Sequence, residues 1–192
     1  VVNGETKVEP NETFKVVLST VTNATGKNVT IPVAGKTGTG TILNDDNATF
    51  AINDVSVTEG NSGTQTLNFT VTLSEDVEAT NPITIDYATG DITALAGEDY
   101  VAKTGTLSFT GTKNETKTIG VTINGDTKIE LNETFNTVIS NIQSVGLPAP
   151  ILATITILDN TGVGTITNND AATVSINNVT HNEGNTGTTT YD

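Results

Sequence analysis

Apolar and polar residues alternate along most of residues 48–168, at the two-residue period of strands that lie with one face on a core. The alternation and the β-branched runs predict seven strands: 48–58, 65–74, 82–89, 104–110, 116–124, 133–142 and 151–168. In the first, Phe50 and Ile52 alternate, and Val55 and Val57 alternate out of phase with them. Asn53-Asp54 therefore reads as a bulge or kink that re-aims the strand. The last run is long enough to hold a hairpin about Asp159-Asn160. No long segment repeats apolar residues at helical spacing. Seven short strands divided by turn signals predict an all-β, two-sheet, seven-stranded β-sandwich. The usage of 40 Thr, 22 Asn and 18 Gly fits strands and turns and leaves little for helices.

The pattern recurs. Residues 3–19 match 124–140 at an offset of 121, with 11 of 17 identical, and 38–64 match 162–188 at an offset of 124, with 16 of 27 identical. These matches predict tandem repeats: 1–46 as the C-terminal part of a preceding repeat, 47–170 as a complete one, and 171–192 as the N-terminal part of a following one. Neither flank can bury a sandwich core alone, so the parent chain is expected to continue in both directions. About 120 residues suffice for one core, burying roughly two thirds of the unfolded surface.

Charge narrows the function. Eight Lys, no Arg and 22 acidic residues give −14, which argues against nucleic acid, whose phosphates need Lys and Arg, and against anionic membrane surfaces. No apolar run approaches the ~20 residues that span a bilayer, so direct membrane insertion is not expected. With no Cys in the chain and no His in the complete repeat, the usual nucleophile-plus-base arrangements are missing. The lone His181 aligns with the apolar strand position Val57 and reads as a strand residue. Paired carboxylates could serve a glycosidase, but the aromatic platform for a sugar is lacking.

The acids are placed rather than scattered. Asp126, Glu130 and Glu133 fall within eight residues, Asn169 and Asp170 end the last strand, and Asp91 follows the third strand. In a sandwich these connections can converge at one end, with only Lys128 nearby in sequence to compensate. Two carboxylates ~5 Å apart repel by about 3 kcal/mol at an effective dielectric of roughly 20. Such a cluster holds protons or a cation, and oxygen-rich loops suit Ca²⁺ better than Mg²⁺. Glu59-Gly60 and Asp99-Tyr100 read as structural turns, the former at the opposite end from the ion site.

The ordered words DVSVTEGNSG (54–63), FTVTLS (69–74), IDYATGDITALAGEDY (85–100), KTGTLSFT (103–110), TKTIGVTINGDTKIELNETF (116–135) and GVGTITNND (162–170) resemble a Calx-beta domain. The resemblance implies an immunoglobulin-like sandwich, in a family several of whose members bind Ca²⁺ at one end. It assigns Asp91 to the acid of the family's T-x-D-G-T-A word, Asp126 to the acidic run after the fifth strand, Glu130 and Glu133 to E-x-x-E, and Asn169 with Asp170 to the terminal acidic cluster. Glu5, Glu9, Glu12, Asp45 and Asp46 are the corresponding set in the leading segment. Gly125-Asp126-Thr127 and Asn168-Asn169-Asp170 stand where the calcium-sensing exchanger domain has consecutive Asp, which implies one or two Ca²⁺ per repeat. Asn53 or Asp54 is a further candidate. The expected function is a non-enzymatic, calcium-binding structural or adhesive module of a long extracellular or cell-surface protein, with Ca²⁺ stiffening the junctions. Its expected partners are neighbouring repeats of the same protein and other copies of the chain. A strand-exchanging filament or sheath subunit and a calcium-sensing regulatory domain are the alternatives.

Overall fold

The computed structural model describes residues 1–19, 26, 29–188 and 190. Strands β1 (Glu12–Val17) and β2 (Thr37–Ile42) form a separate antiparallel pair. β3 (Ala48–Ile52), β4 (Val55–Thr58), β5 (Thr64–Leu73), β6 (Ile83–Asp91), β7 (Thr104–Phe109), β8 (Thr116–Asn124), β9 (Glu133–Ser144), β10 (Ile155–Asp159) and β11 (Thr161–Thr167) build the sandwich, with one short helix, α1 (Ala149–Leu152), before β10. One sheet has the order β10-β3-β5-β8, the other β4-β11-β9-β6-β7.

The seven predicted strands are all present, and two of them are broken where the chain passes from one sheet to the other. The first passes at Asn53-Asp54, between β3 and β4, so the expected kink is a change of sheet. Asn53 Oδ1 accepts from the Thr70 amide at 2.6 Å, and Asp54 Oδ1 accepts from the Val163 amide at 2.7 Å. These bonds pin the crossing to both sheets. The last strand breaks at Asn160, and here the expected hairpin is wrong. β10 pairs parallel with β3, whereas β11 pairs parallel with β4 and antiparallel with β9. A hairpin would need β10 against β11; instead the two crossing strands run side by side through both sheets.

The inward faces supply the core. Ala48, Phe50 and Ile52 of β3 and Leu67, Phe69, Val71 and Leu73 of β5 are buried, opposite Ile83, Ile85, Phe135 and Ile139 of the second sheet. Each buried Phe or Leu contributes roughly 1.5–3 kcal/mol. Phe50 meets Phe109 edge-on at 4.8 Å, and Phe69 meets Phe135 at 5.8 Å. Tyr100, from the loop after β6, stacks on Phe135 at 4.4 Å and joins that loop to the core. β11 presents Gly162 and Gly164 inward, which makes room for the rings: a Cβ on Gly164 would lie 2.6 Å from Phe135 and 3.0 Å from Phe69.

The leading segment repeats part of this plan. β1 and β2 pair with Glu12↔Ile42 and Phe14↔Gly40 in register, as β9 and β11 pair with Glu133↔Ile166 and Phe135↔Gly164. Among the described residues this pair has no second sheet over it, and Phe14 and Val16 are exposed. Val8 is the exception, buried against the complete unit. Residues 171–188 contain no strand, so the strand position expected for His181 is not formed.

A methyl group at position 164 should be intolerable without movement of two core rings. Gly164→Ala is expected to cost about 1–3 kcal/mol by overpacking. Gly38→Ala, where nothing lies within 4 Å, should stay within about 0.5 kcal/mol. Urea unfolding of both variants checks the difference.

Candidate metal centre

Four chain segments meet at one end of the sandwich, and local hydrogen bonds explain why. The loop after β6 is tied to the end of β8, since the Asn124 amide donates to the Asp99 carbonyl at 2.9 Å and Asn124 Nδ2 to the Glu98 carbonyl at 2.7 Å. The connection between β8 and β9 is held from two sides. The Gly125 amide donates to the Gly63 carbonyl at 3.0 Å, and Asn132 Oδ1 accepts from the Asn168 amide at 3.1 Å. Gly125 also lies so close to the turn after β4 that a Cβ there would be 2.5 Å from the Gly60 carbonyl oxygen. Glycine at 125 therefore brings Asp126 up to Glu59. Asn61 and Asn169 bridge the same turn to the end of β11, Asn169 Nδ2 donating to Asn61 Oδ1 at 2.9 Å.

Asp99, Glu130 and Glu133 each place a carboxylate oxygen within 4.8 Å of the others. Burial, the charge of Asp99 and a hydrogen bond with it, and the charge of Glu130 push the Glu133 carboxyl up to about 7, against a weaker opposing pull from Lys128. Beside this trio stands Glu59. It is buried, and its desolvation, followed by the charges of Asp126, Asp170 and Glu130, raises its pKa. Glu59 Oε1 and Asp170 Oδ2 are both buried without a hydrogen-bond partner. Buried carboxylate oxygens left unpaired are costly, and a cation, a proton or an ordered water satisfies them. Asn61 Nδ2 donates to Asp170 Oδ1 at 2.6 Å, so the two oxygens of this carboxylate differ in their partners. The nearby cation, Lys128, pairs with Glu130 and is largely exposed.

The structure thus draws Asp126, Glu130, Glu133 and Asp170 into one electrostatic neighbourhood. Asn169 is engaged in framing it: its Oδ1 accepts from the Gly60 amide at 3.1 Å. Asp91 holds its own loop, with Oδ1 accepting from the Ala96 amide at 3.0 Å and from the Tyr100 hydroxyl. Asn53 and Asp54 serve the sheet crossing.

Two acids outside the expected set lie beside it, Asp99 and Glu59. Asp99 fits the structural turn expected of it, accepting from the Leu95 amide at 2.7 Å, and it also lies within reach of Glu130 and Glu133. Glu59, expected at the opposite end from the acids, stands among them, close enough to feel the charges of Asp126, Asp170 and Glu130. Because β4 and β11 run parallel, with Thr58 beside Thr167, the residues that follow them emerge together. The expected turn at Glu59-Gly60 is present, with Gly60 at φ +79°, a conformation glycine adopts readily.

The leading acids form a partial copy. The charges of Glu9 and, more weakly, Asp46 raise the Glu5 pKa. Glu5 and Glu9 line one hollow with Asp45 and Asp46 and an adjoining one with Glu12. Asn44 donates to the Asp46 carbonyl as Asn168 does to that of Asp170, and Asn11 supports Asn44 as Asn132 supports Asn168.

A pH dependence follows from Glu133. Its folded pKa lies above the ordinary 4.5, so the folded state retains the proton longer and the associated stability is lost as pH rises from about 4.5 to about 7. In chelator, the wild-type chain should lose stability relative to Glu133→Gln across that window. Thermal melts at half-unit pH intervals test this; parallel curves would refute it.

Comparison with curated proteins finds no match. Among solved structures, the apo form of the Calx CBD1 domain aligns with a TM-score of 0.52 and 20% identity, over 65% of this chain and 100% of that one, a likeness of fold. The calcium binding domain CBD12 of CALX1.1 aligns at 0.48 and 22% identity, over 63% of this chain and 44% of that one. The Calx-beta domain profile matches residues 44–161, well over half of the sequence, and the chain therefore belongs to the Calx-beta domain family.

Proposed function

We propose that this chain is a non-enzymatic, Ca²⁺-binding structural repeat of a longer extracellular or cell-surface protein. The observation that carries the reading is the pair of buried, unpartnered carboxylate oxygens, on Glu59 and Asp170, beside Asp126, Glu130, Glu133 and Asp99. Ca²⁺ takes about six to eight oxygens at roughly 2.3–2.6 Å in adaptable geometry, and loop carboxylates and carbonyls supply such a set. Mg²⁺ demands near-octahedral order that four separate loop segments do not enforce. One or two ions per repeat fit the number of acids. Membership of the Calx-beta family supports the same cation.

The acids are fewer than in a consecutive Asp run, which favours weak sites of the kind that work at extracellular, roughly millimolar Ca²⁺. Short junctions support a role in stiffening: Asp46 leads directly into β3, and the copied acids around Glu5, Glu9 and Asp46 sit where one unit meets the next. Ca²⁺ there turns a hinged string of repeats into a rod with neighbouring repeats as its partners, and an adhesive surface protein is the setting such rods serve.

Calcium titration of the chain in thermal melts tests the reading. Stabilisation should reach about 2.7 kcal/mol at a hundred times Kd, with a smaller effect from Mg²⁺; no shift up to millimolar Ca²⁺ would sink the proposal. Glu59→Gln should act in opposite directions. It should raise the melting temperature in chelator, by removing a buried like charge, and weaken Ca²⁺ binding by about tenfold or more, a loss of roughly 1.4 kcal/mol. A variant neutral in both conditions would remove Glu59 from the site.

A further inference from the structure

The contact of the leading segment with the complete unit has a counterpart elsewhere in the chain. Thr6-Lys7-Val8-Glu9 lies across the turn between β5 and β6. The Val8 amide donates to the Asp76 carbonyl at 2.9 Å, the Glu78 amide donates to the Val8 carbonyl at 2.8 Å, and Val8 pairs with Val77 as a parallel bridge. The Val8 side chain is fully buried. Thr6 Oγ1 donates to Glu75 at 3.1 Å, and Lys7 pairs with Glu78. The complete unit builds this socket itself. The Val77 amide donates to the Gly111 carbonyl at 2.8 Å, and Lys113 holds Glu75 through Nζ and Asp76 through its amide, both at 2.7 Å. Gly111, at φ +93°, lies so close that a Cβ would be 2.5 Å from the Val77 oxygen.

Thr127-Lys128-Ile129-Glu130 is the same tetrapeptide, with Ile for Val, at the same place relative to the acids. Ile129 is 55% exposed, and its backbone makes no hydrogen bond with another described residue. Lys128 pairs only within its own segment, with Glu130, as Lys7 also pairs with Glu9. We infer that Thr127-Lys128-Ile129 is a plug whose occupant is the 74–78 socket of a second Calx-beta unit, entered by Ile129 as Val8 enters it here. The charges agree: the plug carries a lysine and the socket rim carries Glu75, Asp76 and Glu78. Because Glu130 adjoins the plug, the acidic cluster of one unit sits at the junction with the next. The inference rests on the tandem-repeat reading above and is independent of whether the acids bind Ca²⁺.

The chain lacks cysteine, so disulfide capture reports the contact cleanly. A chain carrying Val8→Asp and Val77→Cys, its socket vacated, is mixed in chelator with a chain carrying Ile129→Cys. The mixed disulfide should form at least about tenfold faster than with Leu131→Cys, which is even more exposed, a difference of about 1.4 kcal/mol. Val77→Cys with Val8 intact should be slow with either partner. Equal rates from positions 129 and 131 would overturn the plug. If circular dichroism shows that Val8→Asp unfolds the chain, Val8→Thr carries the same comparison. Work in chelator keeps the outcomes apart: a failed plug leaves calcium stabilisation of the wild type standing, and a failed calcium titration leaves the plug standing.

Discussion

The structure depends on one pairing: two strands that both change sheet, lying parallel to each other as they do so. β3 and β4 run beside β10 and β11, and the breaks at Asn53-Asp54 and Asn160 let each chain serve both layers. The two sheets are thereby joined by covalent chain as well as by the core between them. Asp54 and the inward glycines of β11 are the local conditions of this arrangement. A side chain at Gly162 would meet the Asn53 carbonyl, and one at Gly164 would meet Phe135. Overpacking at such a place has nowhere to relax, since backbone lies on one side and aromatic rings on the other.

The same pairing sets the electrostatics. Parallel strands deliver their following residues to the same end, so Glu59 after β4 and Asn168 to Asp170 after β11 arrive together. Gly125 then lets the β8–β9 connection close over them with Asp126, Glu130 and Glu133. Asparagines do the framing: Asn61, Asn124, Asn132, Asn168 and Asn169 bind backbone or one another across the end of the sandwich. Neutral amides can hold four segments close without compensating charge, which leaves the carboxylates for something else. A chain of net charge −14 can carry such repulsion locally, because the core supplies the cohesion. Free energy stored as like-charge repulsion is what a divalent cation would release.

The likeness between the leading segment and residues 124–170 bears on this end as well. The leading segment reproduces the β9–β11 register, the asparagine supports and part of the acid set. Its apolar Val8 is also buried, bridged to Val77 in the turn between β5 and β6. Val8 and Ile129 stand at matching places in Thr-Lys-Val-Glu and Thr-Lys-Ile-Glu, yet Val8 is fully buried and Ile129 is 55% exposed.

Strand positions, fold class and most of the acids were legible in the sequence, because alternation reports which side chains face a core and the repeats report which acids recur at fixed spacing. The out-of-phase valines at 55 and 57 marked the first sheet crossing, although as a kink. Tertiary structure alone decided the rest. A two-residue period says inside or outside but not which strand lies alongside, so the crossing at Asn160 read as a hairpin and Glu59 was placed at the wrong end. Asp99 looked like a turn residue because its turn bond is local, whereas its nearness to Glu130 and Glu133 comes from a loop folded onto β8. The burial of Val8 was hidden for the same reason: its partner lies some seventy residues away, and nothing short-range announces so distant a contact.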